Sequence, residues 1–425
     1  VVKTFDDCEP GRVGLSPDGR YIAYDLPQEK EASKRDIFAF AIEENRDIPL
    51  VRHPANDKFL GWTPDGNHIF FTSDRMGSWD GWILRVARGE ASSSRELVRA
   101  SMGHASPIGF TRGGSFYYDL QHRAYNVYIA AVLIILLQVH SYPKPVRDTG
   151  TEGALDWSPD GKYHAYCTRP RDSKSQIIHI RSVKTGQERE LDAKLPYFTW
   201  LRWSPDGRFV LASGFEGESP QVIYKIDAQT GDRAVLVRNE KEKIGLAELS
   251  PDGKRLFYTR LDRASQTKSL VVRELETGRE QELIRSGPET ALGPCELSPD
   301  GQHLALSIRE DKTEWPWAIK VMPAEGGERR KLTRAMVGTI AWTPDGQDIL
   351  FTKQDDKTLW RISAEGGAPR KLWEWKKRHW VVHSVRVHPD GRNLAFEVCE
   401  VRTEVWVMEN FLPRQGGVEA SAGAK

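Results

Sequence analysis

Short apolar runs alternate with polar, turn-forming clusters along most of the chain, and within many runs the apolar positions fall on every second residue. In "LSPDGRYIAY" (15–24) an apolar segment ends at Leu15 and Pro17-Asp18-Gly19 follow. Pro presets φ, Asp bonds the local backbone and Gly takes the positive φ, which makes a tight turn. Tyr21-Ile22-Ala23-Tyr24 then reads as a strand, so the segment predicts a β-hairpin. The pattern recurs as "WTPDGNHIFF" (62–71), "WSPDGKYHAY" (157–166), "WSPDGRFVLA" (203–212) and "LSPDGKRLFY" (249–258). It continues as "LSPDGQHLAL" (297–306), "WTPDGQDILF" (342–351) and "VHPDGRNLAF" (387–396), with a degenerate copy, "FTRGGSFYYD", at 110–119. These nine hairpins, near 18, 65, 113, 160, 206, 252, 300, 345 and 390, recur about every 47 residues.

A third apolar strand follows most hairpins, as in "RDIFAFAI", "PQVIYKID" and "KSLVVREL". A Gly turn such as "QTGD" or "EGGE" then leads to a fourth, as in "RAVLVR". Four antiparallel strands repeated at this period are a propeller blade, because one such sheet is apolar on both faces and must pack between neighbours. The prediction is an all-β chain: a single closed β-propeller of four-stranded antiparallel blades over residues 1–411, with nine repeats counted and eight blades the alternative. Residues 1–8 are expected to supply the last blade's missing outer strand, and residues 412–425 a disordered tail.

The run "AAVLIILLQV" (130–139) departs from the pattern, since it continues through the point where the third repeat should turn. Three readings stand: a misread stretch of sequence, a crossing buried beneath a loop, or an apolar outer edge. Under the last, Ile134, Ile135, Leu136 and Leu137 form an edge where another chain pairs, since unpaired edges template association.

The S/T-P-D-G turn followed by an apolar strand, together with "TSDRMGSWDGW" after the second hairpin, resembles the TolB-like β-propeller family. The resemblance covers essentially residues 11–411. It implies the propeller fold and a bacterial, periplasmic or extracellular setting, and it leaves function open. Relatives of this kind include protein-binding propellers, sensor portions of regulators and propellers attached to peptidases, and a fold alone licenses none of these functions.

Composition narrows the field. Lys and Arg (61) nearly cancel Asp and Glu (60), which argues against a nucleic-acid partner, since that needs a basic face. Cys8, Cys167, Cys295 and Cys399 show no metal-binding spacing. A ring would bring Cys8 and Cys399 together, so a closing disulfide stands beside the commoner buried free thiol. The apolar run is shorter than the roughly 20 residues of a membrane-spanning helix, and the chain starts without Met or a signal peptide.

Candidate chemistry falls on the residue just before each hairpin's Trp, Leu, Phe or Val, which faces the axis. Around the ring it reads Gly14, Gly61, Gly109, Asp156, Arg202, Glu248, Glu296, Ala341 and Arg386. The small residues leave one wall open, while Asp156, Arg202, Glu248, Glu296 and Arg386 are candidate ligand-binding residues for a peptide end or small polar ligand. The competing reading is an ion-pair girdle that only holds the ring together. Trp373, Trp375, Trp380, Trp315 and Trp317 are candidate contacts to a protein partner or to sugar rings, since Trp is enriched at binding hot spots; blade packing is the alternative.

No nucleophile elbow, zincin, EF-hand or phosphate loop is present, so no catalytic residue, metal ligand or cofactor is assigned. His379, His383 and His388 form the only local histidine group, and His388 simply replaces the Ser of its turn. The function expected is a non-catalytic binding or assembly scaffold, with a protein partner or self-association, and with a small polar ligand or glycan at the propeller face. A lyase or hydrolase acting on acidic oligosaccharides and a sensor module of a larger bacterial regulator are the alternatives.

Overall fold

A computed structural model gives the fold. It describes residues 1–412 except 6–7, 29–33, 134–137, 140–143, 147–151, 169–174, 196, 216–221, 240–241, 263–264, 266, 288–289, 310–316, 336, 354–356 and 376–379. The tail expected to be disordered falls almost wholly outside the described residues, as do Ile134–Leu137, Trp315 and His379.

The described secondary structure is β-strand, and each of the nine hairpins lies in an antiparallel sheet, as a propeller requires. The turn chemistry explains why. In the first hairpin Ser16 Oγ donates to Asp18 Oδ1 at 2.6 Å and accepts from Tyr21 N at 2.9 Å. Asp18 accepts from Arg20 N at 3.1 Å, and Gly19 sits at φ 74°. Ser or Thr thus ties the turn to the start of the second strand, and only Gly takes the left-handed position without strain. The same bonds recur at Ser158, Ser204, Ser250, Ser298 and Thr343.

Contacts divide the chain into two compact units, one of residues 1–122 and 402–425, the other of residues 123–401. Three of the nine hairpins fall in the first unit and six in the second. Two long strands underlie the division. Phe116–Leu133 and Asn393–Met408 each run unbroken where the repeat pattern calls for a turn, and they lie side by side in one sheet. Each therefore gives one half to each unit.

In the second unit five sheets of four strands start at Glu152–Trp157, Tyr197–Trp203, Glu242–Leu249, Ala291–Leu297 and Val337–Trp342. The sixth is built by Trp380–Val387, the first half of Asn393–Met408, the second half of Phe116–Leu133, and Lys144–Pro145. Neighbouring sheets bury continuous apolar layers, such as Ile178, Leu201, Val210 and Tyr224, each at most 1% exposed. The inner strand Trp380–Val387 contacts Val337–Trp342 and also Glu152–Trp157. Trp157 Nε1 donates to Arg386 O at 3.4 Å across that last contact, and the Trp157 and His388 rings meet edge to face at 4.8 Å.

In the first unit one sheet of four strands begins at Val13–Leu15 and a second sheet begins at Asp57–Trp62. Residues 1–5 form no strand and do not complete the last hairpin's sheet. They lie on the first sheet, where Lys3 Nζ pairs with Asp47 at 2.6 Å and Phe5 meets Tyr24 edge-on at 5.0 Å. The outer place in the last hairpin's sheet is taken by Lys144–Pro145, which pairs with Phe116–Leu133.

All four cysteines are free thiols, so no disulfide joins Cys8 to Cys399. Of the apolar run 130–139, the described ends pair antiparallel, Val132 with Val139 and Leu133 with Gln138. Among the described residues no helix is long and apolar enough to cross a membrane.

Candidate functional site

The six inner strands of the second unit carry Asp156, Arg202, Glu248, Glu296, Ala341 and Arg386 at equivalent places, one step before the residue that opens each turn. Strand alternation points that residue away from its apolar neighbours, so the sheets bring the charged residues together. Arg386 Nη1 donates to Glu296 Oε2 at 3.2 Å, and its Nε lies 4.0 Å from Asp156 Oδ1. Asp156 Oδ2 accepts from Trp203 N at 2.8 Å, and Glu248 Oε2 from Leu297 N at 3.0 Å. Each of these two carboxylates thereby clips its strand to the next sheet. Arg202 donates to Leu201 O at 3.0 Å.

Gly14, Gly61 and Gly109 belong to the first unit and form no wall of this site. A Cβ on Gly14 would stand 2.8 Å from the Phe59 ring, so that position is small because an aromatic ring of the next sheet packs on it.

Burial and mutual fields perturb the charged groups. Burial raises the Asp156 carboxyl, against the pull of Arg202. It raises Glu248 likewise, and Glu296 well above the carboxylate range, where the charge of Glu248 adds to it. Burial pulls Arg202 down, but Asp156, Glu296 and Glu248 together outweigh it and hold the guanidinium above its ordinary value. Glu397, which the sequence reading missed, is pushed up to about 7 by burial. The second strand of the last hairpin carries it, outside the repeat position that exposed the others.

A cavity of about 260 Å³ opens among these groups, lined by Arg202, Glu296, Arg386, Glu397, His383 and Ser384, with Trp200, Leu155, Leu201, Leu246 and Ile340. Drug-sized pockets hold about 300–1,000 Å³, so this one suits a small molecule. Burial, aided by Arg123, lowers the His383 imidazole and favours its neutral form. Cys295 also lines the cavity, and burial pushes its thiol up to about 11. A thiol so held is a poor nucleophile at neutral pH.

The tryptophans sit elsewhere. Trp375 and Trp380 are 5% and 3% exposed, packed with Leu350, Leu394 and Phe396, and so present no open face to a sugar. Trp373 is half-buried at the edge of that cluster, 5.2 Å from the Trp375 ring. Trp317 is half-buried and covers Gly293. His388 takes the serine's place in its turn, with Nε2 2.9 Å from Gly161 O, and is not part of the cavity lining.

No family model matches the chain. Curated proteins similar to it include dipeptidyl-peptidase 5 of Porphyromonas gingivalis, 20% identical over 354 residues, which are 70% of this chain and 49% of that protein. The uncharacterized peptidase YuxL of Bacillus subtilis is 29% identical over 205 residues, 47% of this chain and 28% of its own length. The chain thus spans half or less of the length of these relatives. Among solved structures, TolB from Agrobacterium tumefaciens is 19% identical, with 67% of this chain and 99% of that one covered, at a TM-score of 0.49. In its repeated turn and its antiparallel sheets, the chain is similar to the TolB-like β-propellers.

Proposed function

We propose that the protein is a non-catalytic binding module of the periplasmic or extracellular space, and that its six-sheet unit holds a small polar ligand in the charged cavity. The single observation that carries this reading is the cavity itself, about 260 Å³ of space facing Arg202, Glu296, Arg386 and Glu397. A girdle built only for stability has no use for such a space: buried ions gain most when packed against each other without gaps.

The test is a thermal-shift screen of small polar compounds against the wild-type protein and Ser384→Phe, in which the added ring fills the cavity. A ligand at about 100 times its dissociation constant adds roughly 2.7 kcal/mol of stability. The reading expects at least one compound to raise the melting temperature of wild type and not of the variant. Equal shifts in both proteins would place binding elsewhere.

A further inference from the structure

The first unit is a row of three sheets, in which the first and the third each pack on the second. One repeated contact joins them, made by the residue that opens each hairpin and by the glycine one step before it. Trp62 of the second sheet is 7% exposed, donates its Nε1–H to Gly14 O at 3.2 Å, and lies with Phe59 over Gly14. Phe110 of the third sheet sets its ring 3.5 Å from where a Cβ of Gly61 would stand, and meets Phe70 edge-on at 6.3 Å. The later sheet supplies the ring and the earlier sheet the glycine.

At the two ends of the row the same two halves stand open. Leu15, the first sheet's counterpart of Trp62 and Phe110, is 59% exposed, and Val13 on the same face is exposed too. Residues 1–5 cover the outer part of that face, where Phe5 meets Tyr24 and Lys3 Nζ stands 4.6 Å from the centre of the Phe40 ring. Gly109, the third sheet's counterpart of Gly14 and Gly61, has nothing among the described residues within 4 Å of a Cβ. Beside it the third sheet exposes Ile108, Tyr117, Val405 and Val407, with Val405 at 66%. Phe116, Tyr118 and Met408 fill the layer against the second sheet, so alternation turns Tyr117, Val405 and Val407 to the opposite face. Ile108 is the extra residue of a β-bulge. A contiguous apolar patch of this kind marks an interaction surface.

Independently of the cavity, we propose that a second copy of the chain covers both open faces. The third sheet of each protomer packs on the first sheet of the other, and Leu15 of one seats over Gly109 of its partner, as Phe110 does over Gly61. The two faces fit each other because they are the two halves of the contact already made twice within the row. Both belong to one unit, so a single two-fold arrangement satisfies both ends of both protomers. It also closes: two rows of three make six sheets, inside the roughly four to eight blades of propeller rings, whereas three sheets fall short and nine exceed that range.

Sedimentation velocity of the full chain over a range of protein concentrations tests this, with wild type, Leu15→Glu and Val405→Glu. Both side chains are exposed, so the variants are expected to keep the wild-type circular dichroism spectrum. Wild type is expected to approach twice the chain's mass as concentration rises. Each variant alone is expected to weaken association by at least about tenfold, because its substitution strikes both contacts of the pair. An equal mixture of the two variants regains one intact contact and is expected to associate more tightly than either alone. A wild type that stays monomeric at every concentration would overturn the proposal, as would a dimer that neither variant weakens. Weakening by only one of the two would mean that a face pairs with its own copy, and overturns it as well. A mixture no tighter than its components, or growth beyond two chains, has the same consequence.

Discussion

At the scale of single residues, the turn is where sequence and structure agree most closely. Pro-Asp-Gly was legible because each residue type has one local use. The role of the preceding Ser was not, since a hydroxyl's partner depends on where the second strand starts. Ser298 is 4% exposed, donates to Asp300 and accepts from His303 N at 2.9 Å. Ser298→Ala leaves both groups short of a partner and is expected to cost about 1–2 kcal/mol in a urea unfolding titration. The turn aspartates carry a pH signature. The Ser298 hydroxyl and Gln302 N–H hold Asp300 below its ordinary value, as the matching bonds of Ser250 and Lys254 do for Asp252. A depressed carboxyl adds stability that is full above its unfolded pKa and is lost as pH falls through the folded one. Asp300→Asn should therefore flatten the melting temperature's decline below about pH 4, the ordinary aspartate range.

Glu397 works in the opposite sense. Its folded pKa of about 7 exceeds the ordinary glutamate value, so between the two the native state holds more protons and stability falls as pH rises. Glu397→Gln removes that penalty. The variant is expected to exceed wild type by up to about 3 kcal/mol at pH 8 and to match it at pH 4. A variant less stable than wild type at pH 8 would mean that the charged carboxylate is satisfied by its surroundings. The sequence hid Glu397 because it lies on a second strand, where apolar alternation draws no attention to one acid.

At the scale of elements, the sheets were legible and two of their strands were not. Neither 115–142 nor 392–412 contains a Gly or Pro, the residues that end strands elsewhere in this chain. That absence was the available signal for the unbroken strands Phe116–Leu133 and Asn393–Met408, and the repeat period masked it by demanding turns. The contact between sheets can be probed at Gly161, at φ 69°, where a Cβ would stand 2.6 Å from His388 Cε1. Gly253 has nearly the same φ, 70°, with nothing within 4 Å of a Cβ. Gly253→Ala should then show only left-handed backbone strain, roughly 1–2 kcal/mol. Gly161→Ala should cost more, because it also displaces the ring that packs on Trp157. Equal losses in denaturant midpoints would remove His388 from the account of how the sixth sheet meets its neighbour.

At the scale of the whole molecule, counting repeats gave nine hairpins, and contacts set three of them in one compact unit and six in the other. Grouping depends on which sheet the two long strands join, and that is set by contacts far apart in sequence. Because residues 123–401 contain every strand of the six-sheet succession, the fragment 123–401 is expected to melt cooperatively with a β-sheet circular dichroism spectrum. A fragment that is unfolded when purified would contradict the division. The same division accounts for how far the site could be read. Asp156, Arg202, Glu248, Glu296 and Arg386 come together because they hold the same repeat position in sheets of one unit, whereas the glycines of that position lie in the other.

The central claim is that the inward-facing charges serve a ligand more than they serve stability. The most direct measurement is equilibrium unfolding of Glu296→Met/Arg386→Met, which replaces the pair held at 3.2 Å with apolar side chains. Exchanging both members of a buried ion pair for apolar residues is often neutral or stabilising, whereas breaking a pair the fold depends on costs about 3–5 kcal/mol. The account predicts a double variant at least as stable as wild type that no longer gains stability from the compounds that shift wild type. A loss of several kcal/mol, with those shifts retained, would show that the charges are a structural girdle.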